Sequence, residues 1–238
     1  MCIKMKEADL IDKLMLFGLT RQEAQIYICL ASNSELSGYE VSKITGISRS
    51  NVYNSLANLV EEGAAYLMEG DTNKYISVDV EEFCENKIRH MKEAKLELVR
   101  DMPQAGNTCD GYITISSHKH IMDRIHYMLR HVQYRVYISM PVEFLETLRE
   151  DIEKLIEQNK KVVLLINGES VFDGAIIYKT DKDEKQIRLI VDSEYVLTGD
   201  MSGEEADICL YSGQKNFVSV FKESLRNEIR LIELTGSS

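Results

Sequence analysis

Ser48, Arg49, Ser50 and Asn51 follow one another at the start of a helix-like segment, and Tyr53, Asn54 and Asn58 continue along the same segment. Hydroxyl and amide side chains donate to phosphate oxygens, while Arg and Asn can engage base edges through two bonds at once. Val52, Leu56, Leu59 and Val60 take the opposite face at spacings of three and four. The chain has 39 Asp and Glu, yet none falls between Val41 and Val60. An anion can therefore approach this segment, and the positive end of a helix dipole favours it there. The chemistry on offer is recognition of nucleic acid. Ser37, Tyr39 and Lys43 before the segment, and Lys74 and Tyr75 after it, extend the candidate surface.

Other groups of reactive side chains carry less. His118, His120, His126 and His131 have no carboxylate or thiolate at ligand spacing, so no metal and no cofactor are expected. Cys2, Cys29, Cys84, Cys109 and Cys209 are odd in number and form no C-x-x-C pair, which argues against disulfides and structural zinc. Cys29 and Cys84 fall on apolar helix stripes and read as core thiols. Asp181–Lys185 reads as a solvated turn. Ser116, Asn167 and Ser170 follow expected strands, where a parallel sheet collects ligands, and with Asp192 they form the candidate effector set.

These residues need elements to hold them. Thr20 and Glu23 form a capping box that opens a helix bearing Ala24, Ile26, Tyr27, Leu30 and Ala31. Ser37 caps a second helix that ends at Gly46, where positive φ is available. Ile47 plugs the core, and Ser48 caps the third helix, which stops at Gly63. Ala64–Glu69 and Lys74–Val78 make a hairpin. Residues 80–101 form a charged helix whose seam, Cys84, Ile88, Met91, Lys95, Leu98 and Met102, packs either on its own domain or on a second copy. Residues 102–110 read as a linker. Beyond it, strands at 112–116, 134–139, 161–166, 175–178, 187–191, 195–198 and 206–211 alternate with helices at 121–131, 142–158 and 214–230. That alternation predicts an α/β layer structure with a largely parallel sheet.

The order helix, short helix, helix, hairpin predicts an N-terminal α+β winged helix-turn-helix over 1–79. A linker or dimerisation helix follows over 80–101, a flexible linker over 102–110, and an effector or dimerisation domain over 111–238. With 28 Lys and Arg the formal net charge is −11, and residues 1–80 carry a net of −4. Affinity for DNA must then rest on few ion pairs, with a shallow salt dependence. The longest purely aliphatic run, Val162–Ile166, is far short of a membrane span, and the N-terminus does not read as a signal peptide. A cytoplasmic protein with no membrane partner is expected.

Leu16-Phe17-Gly18-Leu19-Thr20, Glu23-Ala24, Tyr27 and Leu30 resemble the opening helix of the TrmB family of transcriptional regulators. Ile47 through Leu56, then Leu59 and Gly63, then Lys74-Tyr75 continue the likeness, although no proline precedes Tyr75. The resemblance implies a winged helix that binds double-stranded operator DNA as a homodimer and a domain that senses a small molecule, a sugar or other metabolite. Ile190-Val191-Asp192 and Tyr195–Gly199 are similar to the tail of the phospholipase-D motif. The His and Lys of that motif are Lys185 and Ile187 here, so a nucleophile and a phosphate-binding cation are missing and no enzyme is expected. The alternatives are a phospholipase-D-like nuclease or phosphodiesterase, and a dimerising DNA-binding protein with no effector.

Overall fold

A computed structural model of the chain describes residues 2–103, 111–180 and 185–235. The side chain of Cys2, the expected linker from Gln104 to Asp110 with Cys109, and the expected turn at Asp181–Glu184 lie outside the described residues. Two units divide the chain, Met1–Gln104 and Ala105–Ser238.

In the first unit the order is α1 (Cys2–Leu16), α2 (Arg21–Ala31), β1 (Leu36–Ser37), α3 (Gly38–Thr45), α4 (Arg49–Glu61), β2 (Ala65–Met68), β3 (Lys74–Ser77) and α5 (Val80–Asp101). Two capping boxes set the helix starts. Thr20 and Glu23 satisfy each other's backbone N–H at α2, and Ser37 and Glu40 do the same at α3. Gly46 ends α3 at φ 73°, a conformation costly for any residue with a Cβ. The strands form an antiparallel sheet in the order β1-β3-β2. Ala24, Ile26, Leu30, Val41, Val52, Leu56 and Leu59 fill the core between the helices, with Ile47 packed at its margin. Phe83, in the first turn of α5, is buried against Phe17 and Tyr27. The Tyr27 hydroxyl donates to the Val78 carbonyl at 2.8 Å, just before that helix begins.

The second unit runs β4 (Tyr112–Ser116), α6 (His118–Arg130), β5 (Arg135–Ser139), α7 (Val142–Thr147), α8 (Arg149–Glu157), β6 (Lys161–Ile166), β7 (Ile176–Lys179), β8 (Gln186–Val191), β9 (Tyr195–Asp200), β10 (Ile208–Ser212) and α9 (Lys215–Thr235). One seven-stranded sheet orders these as β4-β10-β9-β8-β5-β6-β7. Period-two alternation splits β6 cleanly. Val162, Leu164 and Ile166 pack with α6 and α8, whereas Val163 and Leu165 face α9. The result is a sheet with helices on both faces.

Two expectations need correction. The sheet is mixed, not largely parallel: only β5-β6 and β6-β7 run parallel, and the other four pairings are antiparallel. No helix separates β8, β9 and β10, so they return on themselves, and parallel pairing needs a crossover. The turn from β8 to β9 holds both Asp192 (φ 51°) and Ser193 (φ 62°) in the left-handed region, as tight hairpins prefer. The expected single helix over 142–158 is two helices. The Thr147 hydroxyl donates to the Phe144 carbonyl at 2.6 Å, competing with the backbone ladder just before the break at Leu148.

Candidate nucleic-acid interface

The turn between α3 and α4 is fixed by hydroxyls. Ser42 Oγ donates to the Ile47 carbonyl at 2.6 Å, Thr45 Oγ1 donates to the Val41 carbonyl at 2.7 Å, and the Ile47 N–H returns to Thr45 Oγ1 at 3.3 Å. This holds the first turn of α4 outward. Ser48 occupies the N-cap position but makes no side-chain cap, contrary to expectation; its hydroxyl lies 3.4 Å from that of Ser50. The first N–H groups of α4 are therefore left without the usual side-chain acceptor, which is the arrangement that receives an anion.

Arg49, Ser50, Asn51, Tyr53 and Asn54 are exposed along α4, as are Tyr39 and Lys43 on α3. The Arg49 guanidinium lies over the Tyr39 ring, 4.5 Å from its centroid. Such a stack restricts the guanidinium without consuming its donors. Tyr53 rests against Gly38, where an added Cβ would come within 2.5 Å of Tyr53 Cε1. Sequence spacing named Tyr39, Arg49 and Tyr53 singly; it gave no sign that α3 presents one of them to another.

Four expected contact residues are spoken for inside the unit. Ser37 is buried and its hydroxyl is bonded to Glu40. Tyr75 is buried in the core, and burial raises its phenol. Asn58 Nδ2 donates to Glu23 Oε1 at 3.0 Å, so it ties α4 to α2. Burial pushes the Glu23 carboxyl up, but the Thr20 N–H, the Asn58 amide and the Thr20 hydroxyl outweigh it and hold it below its ordinary value. Lys74 Nζ is paired with Glu35 at 2.5 Å, which neutralises the wing's cation.

On α5, Ile88, Met91 and Leu98 are exposed, while Cys84 is half-buried and packs on the winged-helix core. Cys84 therefore leaves the expected seam, because the first turn of α5 belongs to its own unit.

The expected effector set does not assemble. Ser116 ends β4 at one edge of the sheet, and Asn167 follows β6, five strand positions away, or roughly 24 Å at about 4.8 Å per strand. Ser170 Oγ donates to Glu146 at 2.6 Å. Asp192 follows β8, which runs opposite to β5 and β6, so it sits at the other end of the sheet from Asn167. Its carboxylate accepts the backbone N–H groups of Gln133, Tyr134 and Arg135 at 2.8, 2.8 and 2.9 Å. It is a structural clamp between the β8–β9 turn and the entry to β5.

Residues 14–81 match the family model described as sugar-specific transcriptional regulator TrmB. Residues 111–225 match that of the N-terminal subdomain of the TrmB effector-binding domain. The chain belongs to the TrmB family. This TrmB-family chain is 28% identical over 171 residues to the HTH-type sugar sensing transcriptional regulator TrmBL1 of Pyrococcus furiosus, covering 69% of this chain and 49% of that protein. It spans about half to two thirds of the length of the curated relatives it matches. Among solved structures, the archaeal chromatin protein TrmBL2 aligns over 94% of this chain and 98% of its own, at 19% identity and a TM-score of 0.44. Nuc of Salmonella typhimurium, a phospholipase D family member, aligns over 49% of this chain and 92% of its own, at 9% identity and a TM-score of 0.39.

Proposed function

We propose that this TrmB-family chain is a transcriptional regulator that binds operator DNA as a homodimer and responds to a small molecule. The observation that carries the reading is the uncapped, acid-free start of α4, with Arg49 held over Tyr39 beside it. In this reading α4 enters the major groove and its N-terminal residues meet base edges, while Lys43 and the exposed hydroxyls meet phosphates. The exposed apolar side chains of α5 pair with those of a second copy, which sets the half-site spacing. The 111–238 domain biases that geometry when its ligand binds the two states with different affinity. The relative named as sugar sensing supports a sugar or another metabolite as that ligand. No catalytic role is assigned, since the one acid of the phospholipase-D-like motif is consumed by three backbone N–H groups. No described helix is long and apolar enough to cross a membrane, and the reading places the protein with DNA in the cytoplasm.

The test is fluorescence anisotropy of the full chain against fragments of its own upstream region over a salt series. Saturable sub-micromolar binding that outcompetes random duplex supports the reading. Binding no tighter than random duplex, with and without candidate sugars, refutes it.

A further inference from the structure

A cleft of about 340 Å³ opens in the second unit between α9 and the end of the sheet where β5 begins. This size lies within the range of small-molecule sites, roughly 300–1,000 Å³. Its lining is unusual for a domain with more acids than bases. Lys222, Arg226 and Arg230 come from α9, Arg135 comes from the start of β5, and Glu233 is the one acid. The Tyr178 hydroxyl donates to Glu233 at 2.9 Å, so that carboxylate is already engaged at the cleft's end. None of the four cations makes an ion pair or a side-chain hydrogen bond among the described residues. Asp192 stands in the turn that borders the cleft, next to the lining residue Ser193, but its oxygens are taken by the backbone of Gln133, Tyr134 and Arg135.

The spacing sharpens the point. Lys222, Arg226 and Arg230 recur every four residues, so they form one row about 12 Å long at ~1.5 Å per residue. Like charges at this spacing repel and destabilise a helix. A second hollow shares Ser193 and Lys222 with the cleft and adds Lys215. Tyr137, Leu225 and Ile229 supply an apolar wall beneath the charged row. Arginine forks match phosphate oxygens in pairs, and a phosphomonoester carries close to two negative charges where a carboxylate carries one.

We propose that this cleft binds the phosphate of a small phosphorylated metabolite, with the body of the molecule against Tyr137, Leu225 and Ile229. The proposal deepens the reading of this domain as the ligand-sensing one and rests on it. Arg226 and Arg230 grip the phosphate from the helix, and Arg135 closes on it from the sheet.

The test uses the full chain at constant ionic strength with pyrophosphate, glucose 6-phosphate, glucose and acetate as probes. Thermal denaturation and calorimetry read binding, and operator affinity is measured on the same samples. Pyrophosphate or glucose 6-phosphate is expected to raise Tm by roughly 5–10 °C at a hundred times its Kd. Glucose and acetate have little effect. The double variant R226A/R230A, and R135A separately, abolish the shift. The unliganded Tm of R226A/R230A stays at or above that of the parent, because unpaired like charges are removed. Equal stabilisation by acetate, an unchanged response in R226A/R230A, or an unchanged response in R135A overturns the site. If the small anions do nothing while R226A/R230A weakens binding of random duplex, the row holds DNA phosphates and the proposal also fails. Retained operator binding with no anion response sinks this proposal alone, and absent operator binding sinks the regulator reading.

Discussion

Arg49→Ala removes the guanidinium that lies 4.5 Å over the Tyr39 ring. Arg49 is exposed and has no acidic partner among the described residues, so the change leaves folding intact. Its effect falls on DNA. Among the described residues, Lys43 and Arg49 are the cations on this face without a partner, since Lys74 is held by Glu35. In the proposed homodimer two such cations per copy make four, and at ~0.9 per neutralised phosphate the logarithm of affinity falls with the logarithm of salt at a slope of about −3.6. If Arg49 contacts a phosphate, the variant's slope is about −1.8, and weakening is uniform across sequences. If it reads a base, the slope changes little, and each half-site loses about 1–3 kcal/mol of specific binding, roughly a 5- to 150-fold change. Tyr39→Ala keeps the charge and removes the stack, so it costs about 0.5–1 kcal/mol at this exposed site and spares the slope. Anisotropy on an operator fragment and on random duplex over a salt series separates these cases. An Arg49→Ala protein with parental affinity, discrimination and slope would refute the placement of α4 at DNA.

Leu98→Glu changes an exposed side chain on the outer half of α5; if α5 pairs two copies as proposed, the variant should sediment as a monomer where the parent is a dimer, with winged-helix circular dichroism unchanged. Asp192→Ala leaves three backbone N–H groups without their acceptor, costing about 2 kcal/mol and lowering Tm by roughly 4–8 °C in calorimetry, while Asp192→Asn recovers part of the loss. Glu23 is held below its ordinary value of 4.5, so its contribution to stability is present above about that pH and is lost as pH falls through its lower folded value. Denaturant titrations between pH 6 and 3 should therefore fall less steeply for Glu23→Gln than for the parent. Gly38→Ala drives a methyl into the Tyr53 ring and should cost both Tm and operator affinity; unchanged values for both would show that Tyr53 swings away freely.

Legibility followed the range of the interactions. The capping pairs Thr20/Glu23 and Ser37/Glu40 and the left-handed Gly46 are local, so the winged helix and its turn could be read from neighbours in sequence. β1 escaped because two residues carry no period. Asn58 looked outward on a helical wheel and is exposed, yet its amide is engaged by Glu23, 35 residues away in sequence. Strand order is a long-range property, and it dispersed Ser116, Asn167 and Asp192 to different parts of the sheet. The row Lys222, Arg226, Arg230 gains a meaning only once Arg135 joins it, and that depends on the packing of α9 against the sheet.

The burial of Phe83 has a mechanical consequence. Because the root of α5 is packed into the same core as α4, the helix behaves as a stiff arm fixed to the winged-helix unit at one end. Its 22 residues span about 33 Å at ~1.5 Å each. A rotation of about 5° at the root moves the far end by about 3 Å, so a displacement of that size imposed at Asp101 would turn α4 by a comparable angle without any side chain in the core repacking. The ratio runs in a useful direction. A coarse movement at Asp101 becomes a fine adjustment of α4, as a long handle gives control over a small blade.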